Sequence, residues 1–258
     1  MNDDATLPRG ADRDGENVIE GRNPVIEAIR AGIAIDKVFI AKGETDATLR
    51  HIASAARDGG AVVSEVDKRK LDNMSQTRAH QGVIAWAAAV GYSSIADMLE
   101  IAAKKGEAPL IALCDEIQDP HNLGAIIRAC EAAGAHGVII PRHRNAGLGA
   151  AAAKASGGAV YHMAVARVTN LCAAIRELKE TGLWIFGTSA GNGSSLWDAD
   201  LRAPTAIVIG SEGGGMRRTV TENCDAVINI PMRGKVSSLN ASVSAAIVLY
   251  EALRQRRA

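Results

Sequence analysis

Three short stretches hold the polar residues that could do chemistry in this chain. The first, GSEGGGM (210–216), sets the carboxylate of Glu212 among glycines directly after the apolar run AIVI. The second, DPHNLGAIIRACEAAGA (119–135), offers Asn122 and Arg128, with His121 as a candidate base. The third, IPMRGKVSSLNAS (230–242), places Ser238 and Asn240 ahead of a long apolar helical pattern.

A glycine loop after a strand suggests a phosphate cradle, but the details disagree. A phosphate-binding loop requires GxxxxGK[ST], and no lysine follows these glycines. A dinucleotide fingerprint keeps its acid about 20 residues downstream, on the ribose, whereas an acid inside the loop would repel pyrophosphate. That chemistry also argues against a nicotinamide-dependent oxidoreductase. Read locally, the glycines supply a tight turn and Glu212 is solvated or caps the next helix. Asn122 and Ser238 read equally well as helix caps, and Arg128 as a solvated helix arginine.

The elements that must position these residues are legible from periodicity. Between Val18 and about Ala89, strand patterns KVFIA (37–41), AVVSEV (61–66) and VIAWAAA (83–89) alternate with helical ones. Asn23 and Pro24 suggest a capped helix start, and Gly32 its end. Residues 91–108 read as a connector, with Ser94 and Asp97 as a capping box before a turn or two of helix. Beyond it, LIALCD (110–115), GVIIP (137–141), LWIFGTS (183–189), AIVIGS (206–211) and AVINIP (226–231) are continuous apolar strands separated by helices. That pattern predicts a parallel sheet covered on both faces, with ligands beyond the carboxyl ends of its strands. The expected organisation is a polar, disordered tail (1–17), a small α/β domain (18–90), a linker (91–108) and a larger α/β domain (109–258).

Composition narrows the class. Lysine plus arginine and aspartate plus glutamate each total 29, so the net charge is zero and indiscriminate polyanion binding is disfavoured. Basic residues nevertheless gather in PRHRN (141–145), MRRT (216–219), MRGK (232–235) and the terminal RQRR. Four widely spaced cysteines and six histidines without ligand spacing predict neither a disulfide framework nor a metal site. With no apolar segment long enough for a bilayer and no signal-peptide pattern, a cytoplasmic protein is expected.

Taken in order and spacing, the three polar stretches resemble motifs one, two and three of the SpoU (TrmH-type) RNA 2′-O-ribose methyltransferases. The front half, with EGRNPVIEAIRAG and HQGVIA, resembles the small ribosomal-protein-like RNA-binding domain of the branch that methylates large-subunit (23S) ribosomal RNA. The resemblance implies a parallel-sheet domain with a deep trefoil knot, a homodimer through the last helix, and S-adenosylmethionine bound against the knot loops. It assigns Asn122, Arg128, Glu212, Ser238 and Asn240 to catalysis, and Thr188, Gly210, Ile230, Met232 and Leu239 to the cofactor site. Met232, like Met216, reads first as a packing residue, and Thr188 lies at the end of a strand outside the three motifs. The implied substrate is a guanosine of 23S ribosomal RNA, with transfer RNA as the alternative. Because a guanidinium stays protonated, Arg128 is expected to stabilise a developing alkoxide and grip a phosphate, not to act as base. Glu212 is expected to orient Arg128 or Asn122.

Overall fold

The computed structural model describes residues 18–43, 46–87 and 91–257. The expected tail (1–17) and the last two residues of the expected strand 83–89 lie outside these ranges.

The front domain runs β1 (Val18–Glu20), α1 (Arg22–Arg30), β2 (Ile35–Ala41), α2 (Ala47–Asp58), β3 (Val62–Val66), α3 (Lys68–Met74) and β4 (Val83–Ala87). Its strands lie in the order β1-β4-β2-β3, with β4 antiparallel to both β1 and β2, and β3 parallel to β2. Asn23 does not cap α1. Gly21, at φ 99°, turns the chain into the helix, and Asn23 and Pro24 fall in its first turn, where a missing N–H costs nothing. The stop at Gly32 is as expected: at φ 69°, the N–H groups of Gly32 and Ile33 return to the carbonyls of Ile29 and Ala28, both at 3.0 Å.

The larger domain begins with α4 (Ile95–Lys105) and continues β5 (Leu110–Asp115), α5 (Pro120–Ala132), β6 (Gly137–Pro141), α6 (Ala150–Ala155), β7 (Val165–Val168), α7 (Leu171–Glu180) and β8 (Trp184–Ser189). Then follow β9 (Ser194–Ser195), β10 (Thr205–Gly210), α8 (Arg218–Thr221), β11 (Ala226–Asn229) and α9 (Ala241–Arg256). All seven strands are parallel, in the order β7-β6-β5-β10-β8-β11-β9. Both faces are covered, and successive residues of one strand enter opposite cores. Ala112 and Cys114 face α5 and α9, while Ile111 and Leu113 join Met98 of α4 and Ile175 of α7. Burial on both sides is why β5 reads as an unbroken apolar run.

The segment expected to be a linker contributes to this core. Ser94 and Asp97 form the capping box, but α4 continues for 11 residues to Gly106, and Ile95 and Met98 are buried against the sheet. A Cβ on Gly137 would lie 2.2 Å from the Met98 sulfur, so the glycine is what lets α4 approach β6. Contact between the domains is both apolar and polar: Tyr161 packs against the cores of both. Lys154 Nζ donates to the Ala79 carbonyl at 2.7 Å, and His162 Nε2 lies 3.0 Å from Glu27. All four cysteines are free thiols, and burial pushes that of Cys114 up to about 12, leaving it inert at neutral pH. No helix among the described residues is long and apolar enough to cross a membrane.

Candidate active site

Parallel strands end on one edge, and three of those ends carry the three polar stretches. β10 pairs with β5 as far as Gly210 beside Asp115, so the first two loops leave the sheet side by side. The loop after β10 folds back on itself, with Ser211 and Gly215 exchanging two backbone hydrogen bonds at 3.0 and 2.9 Å. A Cβ on Gly210 would meet the Gly215 carbonyl carbon at 2.3 Å, so this close return requires glycine. Glu212 is displayed at the tip.

Two helices meet it there. Asp119, not Asn122, caps α5: its carboxylate accepts from the His121 N–H at 2.9 Å and Pro120 takes the first helical position. Relieved of capping, Asn122 donates through Nδ2 to Glu212 Oε1 at 3.0 Å. Asn240 does cap α9, its Oδ1 accepting from the N–H groups of Ser242 and Val243 at 2.9 and 3.2 Å. Its Nδ2 donates to Asn122 Oδ1 at 2.9 Å and to Glu212 Oε1. Three residues separated by some 90 and 28 positions thus close a ring of hydrogen bonds in which both amide orientations are fixed by their partners. Glu212 keeps Oε2 without a partner among the described residues.

Beside the ring lies a cleft of about 760 Å³, and all five expected cofactor residues, Thr188, Gly210, Ile230, Met232 and Leu239, line it. Ser238 lines it as well, with its hydroxyl unbonded among the described residues. Thr188 turns its hydroxyl away, donating to the Val208 carbonyl at 2.9 Å. Glu212 is the one charged residue of the lining, so the wall offers backbone and small side chains but no cation for a pyrophosphate. Gly191 and Gly213 front this space, and a Cβ on either would meet nothing within 4 Å. Such a wall fits a nucleoside-sized ligand without phosphate.

Arg128 is not part of the ring. Six residues beyond Asn122 on α5, it sits about 9 Å along the axis and about 240° around it. It is exposed, lies against Gly157, and lines a separate recess with Asn23, Glu27 and His162. The expected contact with Glu212 is therefore not made within one chain. Sequence reading also missed an ion pair that braces the site: Arg217 donates from its backbone N–H and its Nε to the fully buried Asp115, at 2.7 and 2.8 Å. This bond to the carboxylate holds the guanidinium above its ordinary range. The available signal was an aspartate closing an otherwise apolar strand, since a buried charge needs a partner.

A seven-stranded parallel sheet whose edge loops close a polar ring beside a cleft without cations marks this as an α/β protein with its site at the strand ends, and the chain belongs to the SpoU rRNA methylase family. That family's model matches residues 108–250, and residues 18–93 match the model described as RNA 2′-O ribose methyltransferase substrate binding. The Bacillus subtilis protein YacO, described as a TrmH family tRNA/rRNA methyltransferase, is 44% identical over 236 residues, covering 92% of this chain and 94% of its own. Among solved structures, the SpoU methyltransferase AviRb from Streptomyces viridochromogenes, in complex with AdoMet, superposes with a TM-score of 0.79 at 25% identity, over 93% of this chain and 90% of its own. The AdoMet-bound rRNA methyltransferase from Sinorhizobium meliloti gives 0.76 at 25% identity, over 92% and 87%.

Proposed function

We propose that this chain is a cytoplasmic, homodimeric RNA 2′-O-ribose methyltransferase that uses S-adenosylmethionine and acts on a guanosine of 23S ribosomal RNA. The observation that carries the reading is the Asn122–Glu212–Asn240 ring at the mouth of the cleft. Bound in that cleft, S-adenosylmethionine supplies an activated methyl group on a sulfonium. Gly210, Ile230, Met232 and Leu239 hold it, mainly through backbone, with Thr188 supporting the wall. The free Oε2 of Glu212 accepts a hydrogen bond from the target ribose, and Ser238 fixes the same sugar from the third loop.

Arg128 stabilises the developing alkoxide and holds the neighbouring phosphate, while a phosphate oxygen or water takes the proton. Its position away from its own ring supports action across a dimer. Val243 and Tyr250 of α9, 46% and 50% exposed, mark the apolar face through which two copies join. The insertion of β10 between β5 and β8 supports a deep trefoil knot formed by the three polar loops after β5, β10 and β11. The likeness to the Sinorhizobium rRNA enzyme, which extends over both domains, favours ribosomal RNA.

The test is transfer of labelled methyl from S-adenosylmethionine to 23S and transfer RNA purified from cells lacking the gene, followed by mapping of ribose methylation. Label on a single 23S guanosine is expected. Label on transfer RNA alone would overturn the substrate, and label on neither would overturn the activity.

A further inference from the structure

Along the edge that carries the ring, arginines line up beside it. Arg167 on β7 donates from Nη2 to the Arg142 carbonyl at 3.4 Å and stacks its guanidinium 5.4 Å from the Tyr92 ring. Arg142 and His143, directly after β6, are exposed, and their side chains have no partner among the described residues. Arg144 reaches Glu116 at 3.2 Å, and the same carboxylate oxygen lies 4.0 Å from Arg217 in the loop that displays Glu212. The arc therefore spans the ends of β7, β6, β5 and β10, three strand spacings or about 14 Å. Four arginines and a histidine face two acids, in a chain whose overall charge is zero.

The arc is also preorganised. Arg144 is held at φ 57°, a conformation few side chains adopt. Asn145 Oδ1 accepts from the Ile117 N–H at 2.9 Å, and the Ala146 N–H returns to the Ile117 carbonyl at 2.8 Å, tying this loop to the one that leads to Asn122. Tyr92 completes the frame, its hydroxyl accepting from the Leu148 N–H at 3.5 Å. Cations carried on ordered strand ends and loops beside an aromatic ring, in continuity with a reaction site, suit a polyanion with stackable bases.

We infer that Arg142, Arg144 and Arg167, with Tyr92, form the track that holds the RNA strand running into the active site, the arginines on successive phosphates and the Tyr92–Arg167 pair against a base. The track accommodates about four stacked nucleotides at about 3.4 Å each. This inference rests on the RNA-methyltransferase reading above and adds where the strand lies.

The experiment measures equilibrium binding of deproteinised 23S RNA across a salt series, separately from methyl transfer, for the full chain and for Arg142→Ala/Arg144→Ala/Arg167→Ala. The variant should bind at least tenfold more weakly, with a log K against log salt slope shallower by about 0.7 for each phosphate that no arginine neutralises any longer. Its kcat at saturating RNA, S-adenosylhomocysteine affinity and melting temperature should match wild type. Tyr92→Leu should weaken binding five- to tenfold with an unchanged salt slope, and Tyr92→Phe should not. Unchanged affinity and slope in a triple variant that still methylates RNA would overturn the track alone. Track-dependent binding by a wild-type chain that methylates no RNA would overturn the functional reading and leave the track standing.

Discussion

Asn240 does two separable jobs, and substitutions can divide them. Its Oδ1 caps α9 through the N–H groups of Ser242 and Val243, while its Nδ2 holds Asn122 and Glu212 together. Loss of an asparagine cap costs about 1 kcal/mol, and loss of two hydrogen bonds at an exposed cluster adds about another 1 kcal/mol. Asn240→Ala should therefore lose about 2 kcal/mol, a fall in Tm of about 4–8 °C for a chain of this size. Serine also caps helices well but cannot reach Glu212, so Asn240→Ser should lose only about 1 kcal/mol, or about 2–4 °C. Activity should not follow this ranking. Either variant releases Glu212 from its fixed position, and misplacing a reacting group by about 1 Å costs about a hundredfold. Thermal melting and single-turnover methyl transfer, measured on the same preparations, give the two readouts. Methyl transfer by Asn240→Ser within tenfold of wild type would refute the role of the ring, and equal destabilisation of the two variants would refute the role of the cap.

Arg128→Ala should lose most turnover yet keep S-adenosylhomocysteine affinity. If Arg128 acts across a dimer, mixing it with Asn122→Ala should recover about a quarter of wild-type activity, since half the dimers would carry one intact site; no recovery would place Arg128 in its own chain's site. Gly210→Ala forces a Cβ into the Gly215 backbone at 2.3 Å, and calorimetry should find cofactor affinity down at least tenfold. His136 is buried and neutral, accepting from the Leu110 N–H at 3.0 Å through Nδ1, with Nε2 against Glu107. Burial holds its pKa below the ordinary value despite Glu107, so the unfolded chain takes up a proton at about pH 6.5 before the folded one does. Stability should be complete above about pH 6.5 and fall as the pH drops below it, and His136→Gln should flatten that dependence in melting experiments.

How much the residues disclosed depended on what each element buries. β5 and β6 match the expected strands residue for residue, because burial on two faces leaves a continuous apolar run. β7 escaped notice because it is four residues long and Arg167 interrupts it, and β9 because it is only Ser194 and Ser195. Neither the place of β10 between β5 and β8 nor the full length of α4 is written in local periodicity, since both depend on packing between segments distant in sequence. The capping errors at Asn23 and Asn122 share one cause. Each lies close to a proline that belongs in the first turn, so the cap falls to the residue ahead of that turn, Gly21 in one helix and Asp119 in the other.

That one-turn displacement explains why a glycine loop carries an acid. With Asp119 as cap, Asn122 lies inside the first turn of α5, and Asn240 caps α9, so the amino ends of two helices converge on Glu212. Amino ends of helices attract anions, and an unguarded pair would make a phosphate site. Here the chain's own carboxylate occupies it, which disfavours phosphate in the cleft and favours a ligand that is neutral or cationic at that point, as a sulfonium is. RNA brings phosphates that must still be held near the group that receives the methyl. The division of labour then follows: Glu212 disfavours phosphate where the two helix ends meet, and the RNA phosphates fall to the arginines on the neighbouring strand ends. Glu212→Gln separates these effects, because it keeps an oxygen acceptor while removing the charge. Phosphate-bearing nucleotides should compete with S-adenosylhomocysteine better in this variant than in wild type, and equal competition would show that Glu212 does not set the selectivity.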